Sequence, residues 1–292
     1  MTVTGCGLWL SVLCLVGLWG CASAPTAEDL QSKAISLNDQ GYQYYQESRF
    51  NVAEGKFSQA LKINRLIDRR VGIAANLNNL GVIALEQGDP KKAEAYFQEA
   101  LSINRELGDP AGLSETLNNL GLAYLAQGRV AEAQGAYQEA LEYAQMLPPG
   151  PLLSLSLTHL GDVARVRKDY DLALSYYHRA LQLDEGRKDL RGRAMRWERL
   201  GRTFVDLGDY PRASTYLSDA LREYRRLQDT NGIADTLKDL TLMALAQGDR
   251  QEAALNGKLL LEIYQARGQE QEAKRLKDLF KAGKPARGPA LK

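Results

Sequence analysis

The sequence predicts an all-α fold, an α-solenoid of about six helix–turn–helix repeats with a capping helix at its C-terminal end. Two observations support this fold: columns of Gly, Ala and Leu that recur with a 40-residue period, and turn signals between the apolar segments. The 292 residues carry a net charge of +1, so no strong electrostatic field points to a nucleic acid partner. All three cysteines, Cys6, Cys14 and Cys21, lie near the N-terminus, which excludes disulfides and cysteine ligands from the rest of the sequence.

The first segment of the sequence is typical of a secretory signal peptide rather than of a membrane span. Residues 7–19 form an apolar run interrupted only by Ser11, and at about 13 residues the run is too short to cross a bilayer comfortably. We therefore expect residues 1–20 to be a signal peptide. Because residues 1–6 contain no Lys or Arg, a buried N-terminal helix or an uncleaved anchor is the alternative interpretation.

The apolar run ends in the motif LWGC at residues 18–21, which resembles the lipobox of bacterial lipoproteins. The resemblance implies cleavage after Gly20 and a lipidated Cys21 with a diacylglyceryl group and an N-acyl chain such as palmitate, which together give stable anchoring. Residues 21–33 are then the lipidated cysteine and its tether. Since Ala22 rather than Asp follows the cysteine, the sorting rule of these lipoproteins implies the outer membrane of a Gram-negative cell, with the protein facing the periplasm.

Residues 34–267 consist of internal repeats that follow one another at this 40-residue period. An alanine comes twelve positions after the glycine of each repeat, and an alanine–leucine pair comes seven positions later, as in Ala93 and Ala100-Leu101. The Leu-Gly pairs of this register are Leu80-Gly81, Leu120-Gly121, Leu160-Gly161 and Leu200-Gly201. The aromatic residues three positions before the alanine–leucine pair are Phe57, Phe97, Tyr137 and Tyr177.

These columns resemble those of the tetratricopeptide repeat (TPR), a helix–turn–helix unit whose usual period is roughly 34 residues. The resemblance implies six repeats in a longer form known from kinesin light chains, and we expect them to start near residues 34, 74, 114, 154, 194 and 234. Glycine at position 8 and alanine at positions 20 and 27 let the two helices approach closely. In the sixth repeat Thr241 replaces the glycine and Gly257 replaces the aromatic residue, as is common in terminal repeats.

Turn signals agree with this register. Residues 87–90 (QGDP) combine a glycine that ends one helix with an aspartate cap and a proline that begin the next. Residues 147–151 (LPPGP) predict a break between the third and fourth repeats. We expect residues 268–280 to form the capping helix and residues 281–292 to be a disordered basic tail.

In TPR proteins, positions 2, 5, 9 and 12 of the first helix line a concave groove that takes peptides or partner helices. Carried over by register, the groove of the first three repeats holds asparagines beside aromatic and aliphatic side chains. These residues are Asn38, Tyr42, Tyr45, Asn78, Val82, Leu85, Asn118, Leu122 and Leu125. The charged groove residues of the fourth and fifth repeats are Asp162, Arg165, Glu198 and Arg202.

Two interpretations of these polar groove residues remain open at the level of sequence. The asparagines can hydrogen-bond the backbone of an extended peptide, or they can form hydrogen bonds between helices of the protein itself. The four charged residues can likewise contact a partner or pair with one another. The aliphatic residues beside them predict an apolar patch that favours a partner.

Catalytic motifs do not occur in the sequence, which contains no GxGxxG, P-loop or HExxH pattern. His159 and His178 stand outside any catalytic constellation. We therefore expect no enzyme activity, no cofactor, no metal ion and no small-molecule substrate, but protein or peptide partners.

The predicted function is a lipid-anchored scaffold that binds a partner in its groove, in the assembly or localisation of a bacterial envelope complex. In this the chain resembles envelope TPR lipoproteins such as the type IV pilus pilotins. The alternative is a cytosolic TPR regulatory or adaptor protein whose N-terminus is uncleaved or misassigned.

Overall fold

The computed structural model describes residues 25–282, which form thirteen α-helices and no strand. This confirms the predicted all-α solenoid. The helices are α1 (Ala27–Gln46), α2 (Phe50–Leu66), α3 (Arg70–Glu86), α4 (Pro90–Leu107), α5 (Pro110–Ala126), α6 (Val130–Gln145), α7 (Pro151–Val166), α8 (Tyr170–Gly186), α9 (Leu190–Leu207), α10 (Tyr210–Arg226), α11 (Thr230–Gln247), α12 (Arg250–Ala266) and α13 (Glu270–Ala282). None of these thirteen helices is long and apolar enough to cross a membrane. The predicted signal peptide, Cys21 and the tail beyond residue 282 lie outside the described residues.

The two helices of a repeat have nearly equal lengths, so the connections between helices are evenly spaced along the chain. Their spacing is half of the repeat period. Eleven of the twelve connections in the described part of the chain contain one residue with a positive φ. These residues are Ser48, Asp68, Gly88, Gly108, Gly128, Lys168, Lys188, Gly208, Gln228, Gly248 and Gly268. A left-handed residue ends a helix by turning the chain away from its axis, and glycine does this at little steric cost. The first helix of each repeat starts a few residues before the repeat start predicted from the sequence. The residues by which this repeat exceeds the usual TPR period therefore lengthen both helices.

The connection between α6 and α7 is the exception among these twelve. Pro148 stands at the place of the left-handed residue, and its ring fixes φ at about −65°, which excludes a positive value. The chain therefore leaves α6 at Gln145 and begins α7 only at Pro151, after Gly150 in an extended conformation. The prolines thus replace the common turn by a longer connection between the third and fourth repeats.

Aspartates begin seven of the described helices. Each aspartate side chain accepts a hydrogen bond from a backbone N–H of the first turn, which has no partner within the helix. These N-cap residues are Asp89, Asp109, Asp169, Asp189, Asp209, Asp229 and Asp249. The left-handed residue and the aspartate directly after it therefore end one helix and start the next in a very short connection.

The two helices of a repeat are held together where a glycine of the first helix contacts a large side chain of the second. A Cβ atom added at Gly161 would lie 2.5 Å from Cε1 of Tyr177, and one at Gly121 would lie closer still to Cε1 of Tyr137. The ring therefore lies directly on the backbone of the first helix. The remaining pairs of this kind are Gly41 with Phe57, Gly81 with Phe97 and Gly201 with Leu217.

In the sixth repeat a similar contact between a glycine and a ring joins α12 to α13 rather than α11 to α12. Thr241 of α11 occupies the glycine position, and its hydroxyl donates to the carbonyl oxygen of Leu237 at 2.7 Å. Gly257 of α12 occupies the aromatic position, and an added Cβ there would lie 2.5 Å from Cε2 of Phe280 in α13. The capping helix therefore supplies the ring that the sixth repeat lacks.

The first helices of neighbouring repeats lie closer to one another than the second helices do. Contacts join α3 to α5, α5 to α7, α7 to α9 and α9 to α11, whereas the second helices of the described repeats make no comparable contacts among themselves. The layer therefore curves around the first helices, and their free face lines the concave groove.

We expect Gly121→Ala to lower the free energy of unfolding by about 1–3 kcal/mol, because the Tyr137 ring must move away from the added methyl group. Urea unfolding followed by circular dichroism measures this change. Gly135→Ala in α6 is the matched control, since nothing lies within 4 Å of its added Cβ. Alanine is the better helix former, so the control should raise the free energy of unfolding by up to about 1 kcal/mol. Equal effects of the two substitutions would contradict the close packing described above.

Candidate functional site

The groove face of α1, α3 and α5 is lined by large apolar side chains. We call this surface the apolar half of the groove and define it by Tyr42, Tyr45, Val82, Leu85, Leu122 and Leu125. Tyr42 is 45% exposed and Leu122 is 36% exposed, and the other four side chains are half-buried. The Tyr42 ring packs edge-on against the Phe57 ring at a centroid distance of 5.6 Å. Adjacent apolar side chains that remain accessible to water form a surface suited to a partner.

The asparagines beside the apolar half form a hydrogen-bonded network within the protein. The Asn38 side-chain oxygen accepts hydrogen bonds from the amides of Asn76 at 3.0 Å and Asn79 at 2.9 Å. Asn64 of α2 donates to Asn76 at 2.7 Å, and the Tyr42 hydroxyl donates to Asn79 at 3.0 Å. The network therefore joins α1, α2 and α3 and occupies side chains that face the groove. Asn64 and Asn76 were not among the residues predicted from the sequence.

Asn78 and Asn118 lie inside the helical layer rather than on the groove surface. Asn118 is fully buried, and its amide donates to the Ser114 carbonyl oxygen at 3.0 Å and to the Ser156 hydroxyl at 2.9 Å. Asn78 is 5% exposed. Of the three asparagines predicted to line the groove, only Asn38 is partly exposed. Hydrogen bonding between helices, the second of the two interpretations, describes the Asn38 oxygen and the Asn118 amide. The buried side-chain oxygens of Asn78 and Asn118 have no hydrogen-bond partner among the described residues.

Two glutamates border the apolar half of the groove. The Tyr45 hydroxyl donates to Glu86 at 3.3 Å. Glu115, near the start of α5, is exposed and makes no hydrogen bond or ion pair with another described residue. Partial removal of water around its carboxyl and the nearby charge of Asp109 raise the pKa of Glu115. The pKa of Tyr42 is raised mainly by burial and, to a smaller extent, by the negative charge of Glu115. The Glu115 carboxylate therefore lies near the apolar surface of α1.

The groove face of α7, α9 and α11 carries ion pairs beside half-buried apolar side chains such as Val205, Leu242 and Leu245. We call it the charged half of the groove and define it by Asp162, Arg165, Glu198, Arg199, Arg202, Asp206 and Asp239. Arg202 contacts Glu198 at 2.8 Å and Asp239 at 2.7 Å, so it joins α9 to α11. Both carboxylates are buried, which strengthens the Coulomb attraction to the guanidinium group but removes water from the charges.

The other ion pairs of the charged half join α7 to α9. Arg199 Nε lies 3.1 Å from Asp162, and Arg165 lies 2.8 Å from Asp206. The four charged residues predicted from the sequence are therefore all engaged within the protein. Arg199, Asp206 and Asp239 complete the network and were missed, because the register assigns positions to helix faces and does not show which charges meet across two helices.

Two tyrosine hydroxyls from the second helices reach the same network. Tyr177 donates to Asp162 at 2.7 Å, and Tyr224 donates to Glu198 at 3.1 Å. Tyr177 stands in the aromatic column where the first two repeats have phenylalanine. The third repeat also has a tyrosine in this column, but the buried Tyr137 hydroxyl has no hydrogen-bond partner in the described part of the chain, so the change from Phe to Tyr does not by itself locate an acceptor.

The two buried acids of the network have opposite pKa shifts. Burial raises the pKa of Glu198 to about 7 despite the opposing charges of Arg202 and Arg199, and the nearby Asp239 and Asp235 raise it further. Burial also disfavours the charged form of Asp162, but Arg199, His159 and Tyr177 outweigh it and lower the pKa. The charged half therefore contains one acid that titrates near neutrality beside another that stays ionised.

A cavity of about 130 Å³ opens beside Glu198 between α9 and α11. Its lining includes Arg191, Met195, Arg199, Tyr224 and Asp235. His159 lies nearby on α7, stacked on the Tyr137 ring at 4.7 Å, and burial lowers its pKa to about 4, so it is neutral above that pH. In residues 25–282, no group of three or more His, Cys, Asp or Glu is placed to hold a metal ion.

Two family models match the chain. The model described as MalT-like TPR region matches residues 83–258, and the model described as tetratricopeptide repeat matches residues 32–106. No curated protein matches the sequence.

Several solved structures share the fold. A Rap protein complexed with competence and sporulation factor superposes with a TM-score of 0.68 at 14% identity, over 89% of this chain and 80% of that chain. For BtubC from P. vanneervenii the TM-score is 0.58 at 20% identity, over 84% and 93% of the two chains. The pilF protein of Pseudomonas aeruginosa has a TM-score of 0.55 at 22% identity, over 84% and 99%. At these identities the likeness shows the fold alone.

We expect Glu198→Gln to flatten the dependence of stability on pH between about pH 4.5 and 7. The Glu198 carboxyl binds its proton more tightly in the native protein than in the unfolded chain. Its contribution to the free energy of unfolding is therefore complete below the pKa of the unfolded chain. This contribution is lost as the pH rises to the native pKa of about 7. An upper bound for this contribution is about 3 kcal/mol.

The measurement is the Tm of both proteins at closely spaced pH values from 4 to 8. Since glutamine cannot titrate, the wild-type Tm minus the variant Tm should fall as the pH rises through the window. Glu142→Gln on α6 is the control, because Glu142 is exposed and lies on a second helix, outside the charged half of the groove. If the Tm difference between wild type and variant does not change with pH, the raised pKa of Glu198 is refuted.

Proposed function

The chain belongs to the family described as MalT-like TPR region, and we propose that it is a lipid-anchored TPR scaffold that binds a protein or peptide partner in its concave groove. Solenoids of this kind present an extended concave surface to their partners and generally serve as interaction scaffolds rather than enzymes. A Rap protein of the same fold is complexed with competence and sporulation factor, which supports a binding role for such a groove.

The apolar half of the groove is the observation that carries this proposal. Tyr42 and Leu122 remain accessible on the first helices of the first and third repeats, although the core of each repeat is otherwise filled by buried Ala, Leu and aromatic residues. A partner that covers this surface gains roughly 25 cal/mol for each Å² of apolar area removed from water. The charged half offers less, because its ions already pair with one another.

The sequence supports the envelope part of the proposal. The apolar run of residues 7–19 and the LWGC motif that follows it suit export and lipidation at Cys21. A scaffold tethered in this way to the outer membrane would hold its partner at the periplasmic surface. Assembly or localisation of an envelope complex is the role that this arrangement serves.

A cytosolic TPR regulator is the second candidate, and the absence of Lys and Arg from residues 1–6 favours it. In this case the apolar N-terminus is retained, and the same groove binds a regulatory partner. The two candidates differ in cell compartment rather than in the chemistry of the groove.

We expect Leu85→Glu combined with Leu125→Glu to abolish the capture of partner proteins from solubilised membranes. Each introduced carboxylate must lose water when an apolar partner covers it, which opposes binding. The proteins captured by wild type and variant are compared by mass spectrometry. Leu66→Glu is the matched control, since Leu66 is 73% exposed at the end of α2, outside the groove. Recovery of the same proteins by the double variant would refute the apolar half as the binding surface.

We expect Cys21→Ala to abolish lipidation and to release the protein from the membrane fraction. The acyl mass of the purified protein and its distribution after membrane fractionation measure these two effects. Unchanged fractionation, or no acyl mass on the wild type, would refute the anchor. An alkaline phosphatase fused after residue 30 is active only after export, so an inactive fusion would favour the cytosolic candidate.

A further inference from the structure

We propose that the occupant of the apolar half is an amphipathic α-helix whose apolar face lies on α1, α3 and α5 and whose basic side chain pairs with Glu115. This inference rests on the proposed function, since it specifies the chemistry of the partner that the same groove binds. Three features of the apolar half support it: the occupied hydrogen-bonding groups, the spacing of the first helices and the unpaired carboxylate.

The polar side chains along the apolar half are either hydrogen-bonded within the protein or buried, and the side-chain oxygens of Asn78 and Asn118, unpaired in the described part of the chain, are both buried. The Asn38 oxygen accepts two hydrogen bonds, and the hydroxyls of Tyr42 and Tyr45 donate to Asn79 and Glu86. Asn118 is buried with its amide bonded to α5 and α7. An extended peptide would bring backbone N–H and C=O groups onto this surface without partners, which is costly. A helix satisfies these groups within itself and presents side chains only.

The spacing of the groove helices suits the period of a partner helix. Side-chain hydrogen bonds join α1 to α3, and backbone packing joins α3 to α5, so the three first helices succeed one another across the groove. Helices that pack directly lie roughly 8–10 Å apart. Residues i and i+7 of an α-helix are separated by about 10.5 Å along its axis and lie on the same face. A partner helix that crosses α1, α3 and α5 can therefore place an apolar side chain against each of them in turn.

The charge at the border of the apolar half selects a basic partner. Positions 2, 5, 9 and 12 of the first three repeats contain no Lys or Arg, and Glu115 is their one charged residue. The Glu115 carboxylate has no ion pair in the described chain, and the protein around it already raises its pKa. A Lys or Arg of the partner would supply the missing opposite charge, whereas an acidic residue there would be repelled.

The test uses three matched peptides of roughly 14 residues, a length at which isolated helices are marginal in water. The helical probe contains Leu at every third or fourth position with Ala and Lys between. The broken probe is the same peptide with Pro in place of one central Ala, and the acidic probe has Glu in place of each Lys.

Isothermal titration of each peptide into the full chain measures its Kd. We expect the helical probe to bind at least about tenfold more tightly than the other two, because proline prevents the helix and glutamate repels Glu115. Equal binding of the broken probe, or no binding of the helical probe, would overturn the proposal.

Variants of the full chain test the contact with Glu115. Glu115→Gln should raise the Kd of the helical probe about three- to tenfold at low salt, and this difference should shrink in about 0.5 M salt, because salt screens the ion pair. Glu142→Gln removes an exposed carboxylate from α6 and should leave the Kd unchanged. An unchanged Kd for Glu115→Gln would overturn the proposed ion pair.

Two outcomes distinguish a failure of this inference from a failure of the proposed function. If Leu85→Glu with Leu125→Glu abolishes capture from membranes but the broken and helical probes bind equally, the groove binds a partner that is not a helix, and the inference fails alone. If the double variant captures the same proteins as the wild type, the proposed function fails and the inference falls with it.

Discussion

The contact between a glycine of one helix and a ring or leucine of the next sets the geometry of the whole molecule. It brings the two helices of a repeat so close that only alanine fits at the neighbouring positions, as at Ala93 and Ala100, both fully buried. The same contact recurs in the first five repeats, so their helix pairs approach each other in the same way. In the sixth repeat the glycine moves to α12 and the ring to Phe280, which ties the capping helix to the solenoid by the same physical means. A regular stack of this kind leaves the free face of the first helices as one continuous groove.

The groove uses the same register positions for two different kinds of surface. In the apolar half these positions hold Tyr, Val and Leu side chains that no other part of the described chain covers fully. In the charged half several of them hold acids and arginines that neutralise one another between α7, α9 and α11, and Val205, Leu242 and Leu245 stand beside these ions. Ions that are paired and partly buried gain little from a partner, whereas accessible apolar area gains from being covered. Partner binding is therefore expected in the first three repeats.

Sequence patterns predicted much of the fold but less of the site. The 40-residue columns predicted the helix pairs, because each column reports a packing requirement that every repeat must meet. The equal spacing of the turns was less visible, since Ser48, Asp68, Lys168, Lys188 and Gln228 take the left-handed conformation without being glycine. At the groove, the register placed Asn118 on the first helix of its repeat but did not show that its side chain is buried. That burial depends on how closely α7, the first helix of the next repeat, packs against α5. The role of the groove residues in binding stays a prediction.

The all-α solenoid, its repeat pattern and the apolar character of the first groove half can be inferred from the amino-acid sequence without a structure. These properties follow from requirements that are local to one repeat, so they appear in the sequence at a fixed period. The sequence also carries the LWGC motif at residues 18–21, on which the predicted lipid anchor depends. Which polar groups face the groove follows instead from tertiary packing. The partners of Asn38, Asn118 and Arg202 in neighbouring repeats are distant along the chain, and they meet because the first helices pack side by side around the concave surface.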